Sequence, residues 1–291
     1  MIYISADDYG LCDEASVHIK QCADEGALNK ISVFPNLDTV DLTEMLKNNN
    51  TRVALHINLV EGRCMADASK LDLLTDKSGN FIHTFTGLLK QSLVHGKRFE
   101  SQVYNELKAQ ILHWQSILQK DAPILIDSHQ HTHMIPAVFR ALMQVLHDEN
   151  IKSDYVRIPA EPLLPYIMTP SLYFTYSAVN VIKQWLLKFL WLINKPHAKK
   201  HCINKAYFMG VLFSGMMDFA RVNKILPKYI RLAQKSGRDI EVLFHPGYIS
   251  ESDFNNKNVV FNKFYFSQNR KVEFDAVIKI SRKEVQNNAL Y

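Results

Sequence analysis

Short apolar runs alternate with longer segments of helical periodicity along most of the chain. Residues 2–6 predict a buried strand that stops at Asp7-Asp8-Tyr9-Gly10, and Asp13 is placed to cap a helix running to about Gly26. Runs at 30–34 and 52–56 predict two further strands, with a helical pattern after Asp38 between them. From 60 to about 99 the pattern turns irregular, and Gly62, Gly79, Gly87 and Gly96 punctuate it, which predicts a long loop with short helical pieces. Val103, Leu107, Ile111, Trp114 and Leu118 then recur at helical spacing, giving a helix over about 100–120. A strand over 123–128, a helix from Pro136 to near Asn150 and a strand over 154–158 follow. Beyond them the pattern predicts a strand over 206–213, a helix over 219–235 with Gly237 just past its end, a strand over 240–244 and a last helix over 272–285.

Six or seven strands, mostly alternating with helices, predict an α/β fold: a (β/α) barrel, incomplete or distorted, in one domain spanning 1–291. An open doubly wound sheet has the same linear order. The barrel is preferred because chemically capable residues end four separate strands, at Asp7/Asp8, His56, His129 and His245, and barrel enzymes build their sites from such ends. An apolar helical insertion around 165–205 breaks the rhythm. Residues 173–193 are rich in apolar and aromatic side chains, but Lys183, Gln184 and Lys188 interrupt them, against a spanning helix. One reading packs this helix on its own barrel or on a second copy, as a homodimer. The other makes it a surface helix touching membrane or a lipid-linked substrate, helped by Lys195, Lys199 and Lys200.

Composition changes this picture little. An apolar fraction of 47% is ordinary for a packed domain, and a net charge of +5 with dispersed basic residues gives nucleic-acid binding no support. The cysteines at 12, 22, 64 and 202 show no Cys-x-x-Cys spacing, and the start lacks a basic segment followed by an apolar one, so a reduced, cytoplasmic setting is expected.

The chemistry concentrates in Asp127-Ser-His-Gln-His-Thr-His133, an acid and three imidazoles within seven residues. If that run is extended, Asp127, His129, His131 and His133 share one face. A hydrolytic cation site needs imidazoles and a carboxylate with positions left for water, and Asp8, His56 and His129 can supply that set. Singly, His56 could be a hydrogen-bonded core residue and Asp7-Asp8 a helix-capping loop. His113, His147, His197 and His201 read as structural or surface residues.

Asp7-Asp8-Tyr9-Gly10, Leu55-His56-Ile57-Asn58-Leu59, and the run Asp127–His133 followed by Met134-Ile135-Pro136 resemble, in order, the signatures of the YdjC-like carbohydrate deacetylases. That family includes chito-oligosaccharide and hopanoid-associated glycosyl deacetylases. The resemblance implies a barrel-like α/β fold, removal of acetyl from an N-acetylated amino sugar, metal ligation by Asp8, His56 and His129, and Asp7 as general base. It also implies magnesium, whereas two nitrogens and one oxygen favour zinc or another transition metal. An amide that leaves as an amine also needs a general acid, for which His245 is the candidate; its alternative role is a turn at Pro246-Gly247. Arg157 could hold Asp7 ionised, bind a substrate oxygen, or pair at the surface with Glu161. Tyr9, His131 and His133 are expected to contact substrate or support the site, and Asp127 to orient one of those two rings. Rival readings are a metal-dependent phosphoesterase and a non-catalytic carbohydrate-binding protein.

Overall fold

The computed structural model describes residues 1–37, 42, 51–118, 122–200, 206–250 and 265–280, with the side chains of 199 and 200 excepted. The helix expected after Asp38 lies outside them. Seven parallel strands form one sheet: β1 (Ile2–Tyr9), β2 (Lys30–Val33), β3 (Arg52–Ile57), β4 (Ile124–Ser128), β5 (Ser153–Val156), β6 (Ala206–Met209) and β7 (Asp239–Phe244). Their order is β5-β4-β3-β2-β1-β7-β6, with every pairing parallel. Read from β6, this is chain order around a barrel, left open between β5 and β6. A doubly wound sheet would reverse order at a switch point, so the fold is an incomplete (β/α) barrel.

The helices are α1 (Asp13–Glu25), α2 (Phe85–Ile117), α3 (Pro136–Asp148), α4 (Leu164–Ile167), α5 (Ala178–Lys200), α6 (Phe219–Ser236) and α7 (Gln268–Lys279). Three expectations need correction here. β1 continues through the acid pair to Tyr9, and Asp13 is the first helical residue, with Cys12 at the cap position. α2 starts at Phe85, about one-half of its length earlier than the periodicity implied, because Thr84 caps a first segment that Gly96 separates from the second. Gly96 sits at φ 46°, ψ −114°, a conformation open to glycine, and it breaks the helical register on which the sequence pattern depends.

The two faces of the sheet differ in chemistry. Ile4, Ile31, Leu55, Ile126 and Val242 face outward into the main core with Ile19, Leu107, Trp114, Val138 and Leu142 from the helices. The alternate positions point into the barrel and are polar: Ser5 and Asp7, Lys30 and Ser32, His56, Asp127, Tyr155 and Arg157, and Glu241 are joined by hydrogen bonds across the interior. No helix among the described residues is long and apolar enough to cross a membrane.

The gap between β5 and β6 is bridged by one carboxylate. Glu161, just beyond β5 and fully buried, accepts the backbone N–H groups of Gly210, Val211 (2.7 Å) and Leu212 (3.1 Å) beyond β6. This contact also explains why β6 ends at Met209 instead of continuing to Phe213: the chain turns at Gly210 to present those three donors. Burial pushes the Glu161 carboxyl up to about 7 against those three bonds. Its folded-state value lies above the ordinary 4.5, so its contribution is complete at acid pH and is lost as pH rises through about 7. Glu161→Ala leaves three donors unpaired and is expected to lower stability by about 3 kcal/mol or more in urea unfolding; an unchanged midpoint would show that the gap is closed by other contacts.

Candidate metal centre and active site

Successive residues of a strand face opposite ways, so Asp7 and Asp8 should not reach one site. A register shift between Ala6 and Tyr9 in the pairing of β1 with β2, with Asp8 at φ 71°, turns the second acid to the same end of the barrel. There Asp8 Oδ1 lies 3.0 Å from His129 Nδ1 and 3.6 Å from His56 Nε2, and Oδ2 takes Arg270 at 2.5 Å. Burial works against this charge, but the Arg270 guanidinium, the hydrogen bond with His129 and the nearby His56 ring hold the Asp8 carboxyl well below the usual carboxylate range.

The run 127–133 is not extended. β4 ends at Ser128, and residues His129–Met134 form a 3-10 turn in which Gln130 and His131 are left-handed, at φ 53° and 57°. The turn sends the residues expected on one face in different directions. Asp127, the register partner of His56 on the neighbouring strand, orients that ring through Oδ1 to Nδ1 (2.7 Å), where a bond to His131 or His133 was expected. Its Oδ2 accepts from Lys30 (3.0 Å) and Ser32 (2.6 Å) and forms an ion pair with Arg157 (2.9 Å). His133 uses both ring nitrogens, with Ser128 Oγ at 2.5 Å and the Arg157 carbonyl at 2.7 Å, so it braces the turn and has none left for substrate. Burial brings His133 down to about 4, which keeps it neutral. His131 is half-buried, edge-on to Phe208, and its Nδ1 makes no hydrogen bond; burial holds it well below the ordinary imidazole value. Tyr9 is buried within the main core.

Asp7 is gripped by a forked pair from Arg157, at 2.7 and 2.9 Å. Arg157 is fully buried and also reaches Glu241 through Nε and Nη2, so it makes no surface pair with Glu161. Lys30 (2.8 Å), Ser5 (2.8 Å) and the Tyr155 hydroxyl complete the shell of Glu241. Burial opposes ionisation there, yet Arg157 and Lys30 bring this carboxyl down to about 2. His245 follows β7, partly exposed, with Nδ1 3.6 Å from the buried carboxylate of Glu273, which also accepts its backbone N–H at 2.6 Å.

Ligand atoms of Asp8, His56 and His129 lie within 4.8 Å of one another, and so do those of Asp7, His56 and Asp127. In the second group both carboxylates are already engaged by Arg157, Lys30 and Ser32. The first group fits a cation on two counts. His56 donates from Nδ1 to Asp127, which leaves a buried Nε2 with no hydrogen-bond partner, aimed at Asp8. Charge points the same way. Asp7, Asp8, Asp127, Glu241 and Glu61 are buried around these rings, against Lys30, Arg157 and Arg270, an excess of two negative charges. Without an ion, the carboxylates of Asp7, Asp127 and Asp8 overcome burial and raise His56 to about 9, so the ring itself carries a proton where a cation would sit.

Several members of the site were not anticipated. Tyr265 lies 3.1 Å from His129 Nε2 and 3.3 Å from Glu61, and Arg270 and Glu273 come from α7 and hold Asp8 and His245. Nothing in the polar tail marks these three. Lys30 and Glu241 did carry a signal, since each is a charge inside a short apolar strand.

Residues 1–286 match the family described as YdjC-like protein. Among curated relatives, "Carbohydrate deacetylase" of Danio rerio is 30% identical over 166 residues, 57% of this chain and 51% of the relative. The Homo sapiens protein of that name is 27% identical over 55% of this chain and 49% of its own length. That of Clostridium beijerinckii is 23% identical over 58% of this chain and 65% of its own length. The chain thus spans about half the length of the first curated relatives it matches. A crystal structure from Enterococcus faecalis V583, described as a candidate cellobiose-phosphate cleavage protein, superposes with a TM-score of 0.66 at 15% identity, covering 99% of this chain and 94% of that one. That likeness concerns the fold. With the match running nearly end to end, and the acid pair, His56 and His129 gathered at one end of an incomplete barrel, this chain belongs to the YdjC-like protein family.

Proposed function

We propose that the chain is a metal-dependent deacetylase that hydrolyses the acetamide of an N-acetylated amino sugar, releasing acetate and a free amine. The observation that carries the reading is the convergence of Asp8, His56 and His129 beside an Asp7 carboxylate fixed by Arg157. Support for the substrate class comes from the relatives, which are named carbohydrate deacetylases.

A divalent ion held by Asp8, His56 and His129 would supply a Lewis acid for the acetamide oxygen and lower the pKa of the attacking water. Asp7 accepts the proton of that water as its oxygen attacks the acetyl carbon, and the Arg157 fork holds the carboxylate in one orientation. The C–N bond then breaks, and the departing nitrogen must gain a proton. His245, backed by Glu273, delivers it and the acetyl group leaves as acetate. His131 is the remaining ring of the run with a nitrogen to offer, and we assign it to substrate contact. Two nitrogens and one oxygen favour zinc or a related transition ion over magnesium.

A phosphoesterase with two ions would need Asp127 as a ligand, and both of its oxygens are already engaged, by His56 Nδ1 on one side and by Lys30, Ser32 and Arg157 on the other. The single-ion reading is therefore preferred.

Asp7→Asn is expected to reduce acetate release by about 100-fold or more while metal content stays unchanged. Undiminished release would remove Asp7 from the mechanism, and sugar binding with no release by the unsubstituted chain would fit a non-catalytic role. Elemental analysis of the purified protein should find about one divalent ion per chain, with most of it lost in His56→Ala; full retention in that variant would place the ion elsewhere.

A further inference from the structure

The helix α5 keeps an apolar stripe at the surface. Its inward face carries Leu187 and Leu190 together with Asn180, Gln184 and Asn194, all buried, whereas Ile182, Trp185, Phe189 and Leu192 are each more than half exposed. The inward amides fix this orientation. Asn180 donates to the carbonyls of Leu212 (3.4 Å) and Ser214 (3.0 Å), Gln184 to that of Glu161 (2.9 Å), and Asn194 to that of Met134 (2.8 Å). Rotating the apolar stripe inward would break three buried bonds and one partly buried one, so the fold holds it at the surface. Just before the helix, the Phe174 side chain is fully exposed as well. A contiguous exposed stripe of this kind marks an interaction surface, whereas scattered exposed apolar residues do not.

Charge identifies the occupant. From residue 162 to 217 the sequence has no Asp or Glu and six lysines, at 183, 188, 195, 199, 200 and 205. That segment contributes +6 to a chain whose total is +5, so the remainder nets −1. Lys195 is exposed on the helix, and Lys188 lies 5.6 Å from the centre of the Trp185 ring. A symmetric contact between two copies would set these lysines against each other with no acid in the segment to pair them. Exposed Trp, Phe, Leu and Ile flanked by lysines on a helix too polar to span is the pattern of a helix lying in the interface of an anionic bilayer. We propose that α5, with the Phe174 turn before it, docks this protein onto an anionic membrane surface, independently of the reaction assigned above.

Flotation of the full chain with vesicles tests this. The chain is expected to float with phosphatidylglycerol/phosphatidylcholine vesicles, less with phosphatidylcholine alone, and less when salt is raised to about 1 M. The double variant Trp185→Ser/Phe189→Ser and, separately, Lys188→Glu/Lys195→Glu should each weaken binding about tenfold or more, with melting temperatures near that of the unsubstituted chain. Absence of binding to the anionic vesicles, or binding that survives both variants, overturns the proposal. So does light scattering that finds a dimer made monomeric by Trp185→Ser/Phe189→Ser, because the stripe would then be a subunit interface.

Discussion

The guanidinium of Arg157, buried in the barrel interior and shared by Asp7, Asp127 and Glu241, is the contact on which the rest of the site depends. A buried cation is tolerated only when it is fully paired, and removing one partner of such a group costs about 3–5 kcal/mol. Here the partners come from β1, β4 and β7, so one side chain from the end of β5 ties the open edge of the barrel to its middle. That tie dictates the polar interior, since Lys30, Ser32, Tyr155 and Ser5 are needed to complete the remaining hydrogen bonds. It also leaves Asp7 with a fixed carboxylate plane next to the histidines.

The same network would favour a cation beside it. Carboxylates outnumber the surrounding Lys and Arg side chains by two, and the imbalance falls where His56 Nε2 is buried without a hydrogen bond. The pairing of His56 Nδ1 with Asp127 fixes the ring orientation and exposes the other nitrogen to Asp8. Asp127 therefore acts through His56, even though it sits at the head of the histidine run in sequence.

Much of this was legible in the sequence because it rests on periodicity and on residues at strand ends. The alternation of apolar runs with helical segments indicates a parallel α/β fold, the polar residues ending four strands favour a barrel over an open sheet, and Asp8, His56 and His129 are among those residues closing apolar runs. The extended reading of 127–133 failed because Gln130 and His131 adopt left-handed conformations without a glycine to signal them. The first half of α2 was hidden by Gly96, which resets the register of the apolar positions. Tyr265, Arg270 and Glu273 were not legible at all: their importance comes from where the chain returns after β7, a tertiary fact that no local pattern encodes. Lys30 and Glu241 could have been read, since a charge within a short buried strand requires a partner.

The helix α5 lies in the chain between β5 and β6, the two edge strands of the open sheet, and carries an exposed apolar stripe flanked by lysines. The proposed deacetylation turns on Asp8, His56 and His129. Its most direct test is simultaneous measurement of acetate and free amine from N-acetylglucosamine oligosaccharides, with and without a chelator. The account predicts equal amounts of the two products, abolished by the chelator and restored by added divalent ion. Product formation that is indifferent to the chelator, or no acetate from any acetylated amino sugar, would contradict it.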